Sequence, residues 1–302
     1  MSLKSIAFKI VNRRKILILL ELNDGRLVVY SDDKIIRIYK RSLSLDYNIK
    51  NINSVIKSII ETKDNKIVCC SYEITILKLY KDHYELLQII KEWTNKIIEI
   101  NSINGIDKSN HLIAVQNHFI RIYQFSDELN SYNSNYEYDF IENVNNFIYL
   151  KNNDYAILLD DYFKNISLKI FDLELKKIKI SLYTIKAKDS GDMCIIDNKY
   201  LVISLYLYLI LIDIQEEYKI LQIIKTSFGC VNTFCTFKND IFFSGDDIGD
   251  IIEWQIKDNK IIKVKEYNRS KKEINSIIKY NKNSWIATGA NDGLILFYET
   301  NF

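Results

Sequence analysis

One short pattern recurs along this chain of 302 residues. It is a polar turn followed by a β-rich run that ends on an aromatic or large apolar residue. It reads DKIIRIYK from Asp33, ILKLYK from Ile76, NHFIRIYQ from Asn117 and NISLKIFD from Asn165. It returns as LYLILID from Leu207, GDIIEWQ from Gly249 and DGLILFYE from Asp292. Taking Tyr39, Tyr80, Tyr123, Phe171, Ile212, Trp254 and Tyr298 as the markers, successive separations are 41, 43, 48, 41, 42 and 44 residues. A regular period of this size must be explained before any other feature, because it fixes the architecture.

Ahead of each marker lies a second strand pair joined by a short polar turn, as at residues 23–26, 63–66, 151–154, 197–199, 238–240 and 281–283, with a longer version at 104–110. Asn, Asp and Gly suit such turns because they tolerate left-handed backbone angles. Ile, Val, Tyr and Phe fill the runs between and favour pleated, half-buried positions. No long segment has helical periodicity. Each unit therefore reads as four short strands. Seven units of about 42 residues predict an all-β chain folded as one seven-bladed β-propeller over residues 1–302, with four antiparallel strands per blade. The last unit stops after its third strand, while residues 5–11 form a spare strand at the other end. Pairing the two predicts a last blade closed by the N-terminal strand, which removes an exposed sheet edge.

The end of the chain carries a family resemblance. Ala287-Thr288-Gly289-Ala290-Asn291-Asp292-Gly293 followed by Tyr298 resembles the small-Gly-x-x-Asp-Gly run that precedes the tryptophan position of WD-repeat propellers. Ser244-Gly245, Gly249 and Trp254 form a similar run one unit earlier, and Asp33, Asn117 and Asn165 stand at the family's turn-Asp position. The likeness spans the whole chain but is divergent. The second, fifth and sixth units carry Ile74, Tyr206 and Ile248 at that turn, only the sixth has the tryptophan, and His83, His111 and His118 form no Gly-His pair. The resemblance implies a binding platform for other proteins. It also implies that packing of apolar strand faces replaces the hydrogen-bond network that often braces such blades.

Chemistry-bearing motifs are absent from the sequence. The eight glycines make no phosphate loop, and there is no HExxH, no G-x-S-x-G and no Cys/His metal spacing. No metal and no cofactor are therefore expected. The five cysteines, Cys69, Cys70, Cys194, Cys230 and Cys235, lie in apolar stretches and read as buried free thiols of a reducing compartment. The paired carboxylates Asp32–Asp33, Asp160–Asp161 and Asp246–Asp247 fall in turns, where Asp bonds its own backbone. The start of the chain has Lys4 and Lys9 within it, and the longest apolar stretch, residues 200–212, is too short for a membrane-spanning helix, which needs about 20 residues. The expected location is the cytoplasm or nucleus, without membrane insertion.

Charge gives the one positional hint. The net charge of +2 disfavours a dedicated nucleic-acid binder. The loops that lead into the first strands nevertheless carry twelve basic and four acidic residues, partly offset by acidic turns expected on the same face. The densest basic cluster joins the seventh and first units: Arg13, Arg14, Lys15, Arg269, Lys271 and Lys272. Trp93 and Phe228 lie in the same set of loops, and aromatic and Arg side chains dominate interface hot spots. These eight residues are the candidate partner-binding set. The expected function is a non-enzymatic scaffold, a subunit of a complex, that binds a partner protein through an acidic or phosphorylated segment. The alternatives are a propeller enzyme with a site at the central channel and, third, a nucleic-acid-binding module.

Overall fold

The computed structural model describes residues 4–10, 14–50, 52, 55–91, 96–100, 111–116, 118–126, 129, 131–150, 154–161, 165–173, 175–186, 190–226, 229–268, 272–280 and 285–299. The fold is all-β: seven blades of four antiparallel strands, a β-propeller, with no helix among the described residues. In chain order, β1 (Lys4–Ile10) precedes the first blade, β2 (Ile16–Glu21), β3 (Leu27–Ser31), β4 (Ile36–Tyr39) and β5 (Leu45–Ile49). Blade 2 is β6 (Ser58–Glu61), β7 (Lys66–Cys70), β8 (Ile74–Leu79) and β9 (Tyr84–Ile90). Blade 3 is β10 (Lys96–Ile100), β11 (His111–Gln116), β12 (Phe119–Ser126) and β13 (Ser131–Asp139). Blade 4 is β14 (Asn143–Tyr149), β15 (Asp154–Asp160), β16 (Asn165–Asp172) and β17 (Lys177–Lys186). Blade 5 is β18 (Ser190–Ile196), β19 (Tyr200–Leu205), β20 (Tyr208–Asp213) and β21 (Lys219–Lys225). Blade 6 is β22 (Val231–Lys238), β23 (Ile241–Asp246), β24 (Asp250–Lys257) and β25 (Lys260–Asn268). Blade 7 is β26 (Ile274–Tyr280), β27 (Trp285–Ala290) and β28 (Leu294–Glu299), and its fourth strand is β1.

One irregularity repeats in every blade. Where the third strand reaches its large apolar residue, the fourth strand carries one extra residue. The bulged residues are Asp46, Leu87, Asn135, Lys179, Leu221 and Val264 in blades 1 to 6. In blade 7 the extra residue is Ile6 of β1, between Ser5 opposite Tyr298 and Ala7 opposite Phe297. A bulge bends its strand and increases the local twist. Finding it in β1 at the same register as in the six other fourth strands marks the N-terminal strand as a true member of blade 7.

The bulge also identifies equivalent residues across blades. Tyr39, Tyr123, Phe171, Ile212, Trp254 and Tyr298 share the marker position, and all are buried. The blade 2 equivalent is Leu77, not Tyr80. Tyr80 lies just beyond β8, where its N–H donates to the His83 carbonyl (2.9 Å) and its ring stacks on His83 at 4.6 Å. The aromatic signal there comes from a turn that follows the strand, while the core slot is filled by leucine.

The strands fall into two compact units. One comprises residues 1–51 and 189–302, hence blades 5, 6, 7 and 1; the other comprises residues 52–188, hence blades 2, 3 and 4. In each unit apolar clusters are shared by successive blades. In the larger unit Phe234, Phe242, Ile252 and Trp254 of blade 6 pack with Cys194, Val202, Leu209 and Leu211 of blade 5. Tyr39, Leu27 and Val29 of blade 1 pack with Tyr280, Ile295 and Phe297 of blade 7. In the smaller unit Phe140, Val144, Phe147 and Phe171 join Ile113, Val115 and Ile122 of blade 3. Trp254 also donates its indole N–H to Ser244 Oγ (2.8 Å), tying the second and third strands of blade 6.

Close approach of neighbouring blades explains the small-Gly runs. A Cβ on Gly245 would stand 2.6 Å from Ile274 Cγ2, and one on Gly289 would stand 2.4 Å from Ile16 Cγ2. Ile274 and Ile16 open the first strands of the next blades. Blade 5 carries Ser204 in this position, and its hydroxyl donates to the Val231 carbonyl at the start of the next first strand (3.1 Å). The glycines are thus required by space between blades rather than by a turn.

Two outcomes test this packing. Gly289→Ala is expected to lower unfolding free energy by about 1–3 kcal/mol, because the added methyl meets the Cγ2 and Cβ of Ile16, a β-branched side chain that is fully buried; urea denaturation at constant m value measures it. Removing residues 1–11 leaves β28 with an unpaired edge; the shortened chain should melt well below the full chain or aggregate, as read by calorimetry and light scattering.

Candidate interaction face

The loop leading into a blade's first strand and the turn between its second and third strands meet at one end of the blade. The Asp32 N–H donates to the Lys15 carbonyl (3.0 Å), that of Asp247 to the Cys230 carbonyl (3.1 Å) and that of Asn291 to the Glu273 carbonyl (2.9 Å). Three blades of the larger unit therefore carry the same loop-to-turn bond. Within the larger unit, side chains at this end then tie blade 5 to 6, 6 to 7 and 7 to 1. Asp192 Oδ2 accepts the Phe234 N–H (3.2 Å), Asn232 Nδ2 donates to the Ile274 carbonyl (3.4 Å), and Asn275 Nδ2 donates to the Ile16 carbonyl (2.7 Å). Asn232 and Asn275 are the extra residues of bulges in β22 and β26. The bulge turns an otherwise outward side chain along the strand, so it reaches the neighbouring backbone.

At the junction of blades 7 and 1 this network positions the cationic residues. Arg14 and Lys15, just ahead of β2, and Lys272, just ahead of β26, are exposed. Asn275 bonds both the Ile16 carbonyl and Asn291 Oδ1 (2.9 Å), so the start of β26 is held to the start of β2 and to the turn after β27. Of the acids interspersed with them, Asp32 is exposed, whereas Glu273, Asp292 and Asp33 accept internal bonds. Glu273 accepts from Asn232 Nδ2 (3.0 Å) and Asn291 Nδ2 (2.6 Å), and Asp292 Oδ1 accepts the Leu294 N–H (3.0 Å). Asp33 receives both guanidinium arms of Arg37, at 3.1 and 2.5 Å, and the Ile35 N–H. Burial pushes the Asp33 carboxyl up, but the bonded Arg37 charge outweighs it, with a contribution from Arg14, and holds it below the usual carboxylate range.

The turn carboxylates thus build turns. Asp161 accepts the Asn165 N–H (2.9 Å). Asp246 Oδ1 accepts the N–H groups of Ile248 (3.2 Å), Gly249 (2.9 Å) and Asp250 (2.7 Å), and its other oxygen is buried without a hydrogen bond. Burial pushes the Asp246 carboxyl up to about 6, against the pull of those N–H donors and helped by the charge of Asp250.

Of the eight residues singled out from sequence, Arg14, Lys15 and Lys272 fall on this face and are exposed. Arg13, Trp93, Phe228, Arg269 and Lys271 lie outside the described residues. Charge counting passed over Tyr206 and Ile248, which are 40% and 55% exposed at the corresponding turns of blades 5 and 6. Their signal was visible as apolar residues standing where a turn Asp is expected. Among the cysteines, Cys69, Cys70, Cys194 and Cys235 are buried and Cys230 is half-buried, all as free thiols; burial pushes the Cys235 thiol up to about 12. Among the described residues no helix is long and apolar enough to cross a membrane.

Asp246 gives a pH-dependent outcome. Its folded-state value of about 6 lies above an ordinary carboxylate near 3.9, so the native state holds the proton more tightly. The resulting stability is full below about pH 4 and is lost as pH rises through 6. Asp246→Asn removes the titration. Between pH 4 and pH 7.5 the parent chain should lose on the order of 2 kcal/mol relative to D246N, whatever constant cost the buried amide adds; parallel urea titrations at the two pH values measure the difference.

No protein-family model and no curated protein matches this chain.

Proposed function

We propose that this chain is a non-catalytic interaction module, a divergent relative of the WD-repeat propellers, that holds a partner protein within a complex. The reading is carried by one observation: Arg14, Lys15 and Lys272 are exposed just ahead of β2 and β26, the two strands that Asn275 bonds together, while Asp33, Glu273 and Asp292 beside them accept internal hydrogen bonds and Asp32 alone of the neighbouring turn acids is exposed. Exposed cationic side chains of two neighbouring blades therefore stand at one end of the larger unit. Arg13, Arg269 and Lys271 add three positive charges to the same loops in the sequence. An acidic or phosphorylated segment is the matching ligand, since Arg and Lys make their strongest hydrogen bonds to carboxylate and phosphate oxygens. The kinship is supported by Gly245 and Gly289, which serve one packing role in successive blades within the resembling segments.

The test uses fluorescein-labelled glutamate-rich and phosphoserine-containing peptides. The parent chain should bind them with an affinity that falls as salt rises from 50 to about 300 mM, because exposed charges are screened over roughly 10 Å at 0.1 M. R14E/K15E/K272E should weaken binding tenfold or more and shift stability by no more than about 0.5 kcal/mol, as exposed substitutions do. Equal binding by the triple variant would dismiss the basic seam.

A further inference from the structure

The N-terminal strand differs from the other fourth strands in how it is attached. β5, β9, β13, β17, β21 and β25 each follow their own third strand directly in the chain, so any of them, once released, would stay tethered beside its slot. β1 reaches blade 7 from the opposite end of the chain. Its hydrogen-bonded neighbour is β28, because it stands at the edge of the order β1-β28-β27-β26. Backbone pairing places it there, from Lys4 opposite Glu299 to Ile10 opposite Leu294.

Blades 7 and 1 are joined by other groups. Ile16 of β2 stands against Gly289 of β27. Asn275 Nδ2 donates to the Ile16 carbonyl (2.7 Å), and the Leu19 N–H donates to Ser276 Oγ (3.1 Å). Tyr39, Leu27 and Val29 share a core with Tyr280, Ile295 and Phe297. None of these residues belongs to β1. Releasing β1 therefore breaks one edge ladder and leaves these contacts between the two blades in place, and local openings of that kind cost less than global unfolding. The slot left behind is the edge of β28, and an unpaired edge is a template for another strand. A second copy of the chain carries a strand of the matching register.

We propose that blade 7 accepts β1 in trans, so that two copies of this chain exchange N-terminal strands and form a two-fold dimer. The same backbone pairs form whichever copy supplies β1, so the choice between one chain and two is set by concentration. Within one copy a short connection holds β1 at an effective concentration on the order of 1 mM, and single chains dominate in dilute solution. In the dimer residues 11–15 become the crossing connection, and the six residue steps from Ile10 to Ile16 span at most about 21 Å. Both ends of that connection lie at the loop-bearing end of their blades: Ile10 is opposite Leu294, which follows the turn bonded to Glu273, and Ile16 follows Lys15, which is bonded to Asp32. Exchange therefore brings the loop-bearing ends of the two copies together. Arg13, Arg14 and Lys15 of both copies then approach one another, a repulsion that salt screens.

The test uses full-length chains in which the half-buried Cys230 is removed by C230S. Directly opposed Cα atoms of antiparallel strands are about 4.5–5.5 Å apart, within the reach of a disulfide, so K4C/E299C should close an intrachain bond on slow air oxidation. Chains carrying K4C alone and E299C alone are then mixed at a concentration on the order of 1 mM, in about 500 mM salt to screen the connections, and oxidised in the same way. Mass spectrometry should find a bond between position 4 of one chain and position 299 of the other. It should be at least tenfold more abundant than the bond between K4C and S44C chains, Ser44 being exposed on a turn of blade 1. The parent chain should show a dimer in size-exclusion chromatography under these conditions, and K4C/E299C closed beforehand in dilute solution should show none. The proposal is overturned if the interchain bond does not exceed the Ser44 control, if the parent shows no dimer, if the closed variant dimerises as the parent does, or if K4C/E299C fails to close. Peptide binding at the cationic seam, or its failure, leaves these results unaffected.

Discussion

The start of each first strand in blades 6, 7 and 1 presses against the second strand of the blade before it, and much else in the larger unit depends on that approach. Ile274 and Ile16 reach so far into the preceding blade that only glycine fits opposite them, at Gly245 and Gly289. Val231 is reached by the Ser204 hydroxyl instead. At such distances backbone groups of one blade fall within range of side chains of its neighbour. Asn232, Asn275 and Ser276 use that range to bond Ile274, Ile16 and Leu19. Each bond contributes only about 1 kcal/mol, but the groups would be buried and unsatisfied without it, which costs more than the bond returns. Tight apolar approach and polar satisfaction are therefore one requirement.

The outer strands solve a different problem with the same means in every blade. A bulge opposite the marker residue lets a large side chain sit on the third strand while the fourth bends past it. What the extra residue does is then free to vary. In blade 1 it is Asp46, paired with Lys40 at 3.5 Å; in blade 4 it is Lys179, clamped between Asp154 and Asp172 at 2.7 and 2.9 Å. The charges are exchanged at the same structural position. Further along the fourth strands, Gln88 bonds the Tyr132 backbone in blade 3 and Gln222 accepts the Ile261 N–H in blade 6, one device found in both units.

At the loop ends, where these bonds tie turn to loop, the exposed surface diverges between blades. Blades 7 and 1 expose Arg14, Lys15 and Lys272, whereas blades 5 and 6 expose Tyr206, Ile248 and Asp247. The carboxylates of the turns are spent on turn geometry where the turn Asp is retained, as Asp33 and Asp292 show.

Local chemistry made the seven units, their strand order and most of their turns readable from the amino-acid sequence, because alternation of apolar residues and the choice of Asn, Asp or Gly act over a few residues. The N-terminal strand of blade 7 was readable by counting, and the turn role of Asp33, Asp161, Asp246 and Asp292 followed from their positions. Tyr80 misled, since an aromatic residue in a turn and one in a core slot look alike until the bulge shows that Leu77 fills the slot. The tertiary structure alone decided why Gly245 and Gly289 are glycine, why Asn232 and Asn275 occupy bulges, and which charges stay exposed. Those answers depend on groups far apart in the chain, as Leu19 and Ser276 are at a separation of 257 residues. Such contacts leave no periodicity in the sequence, because each is set by how closely two folded blades approach.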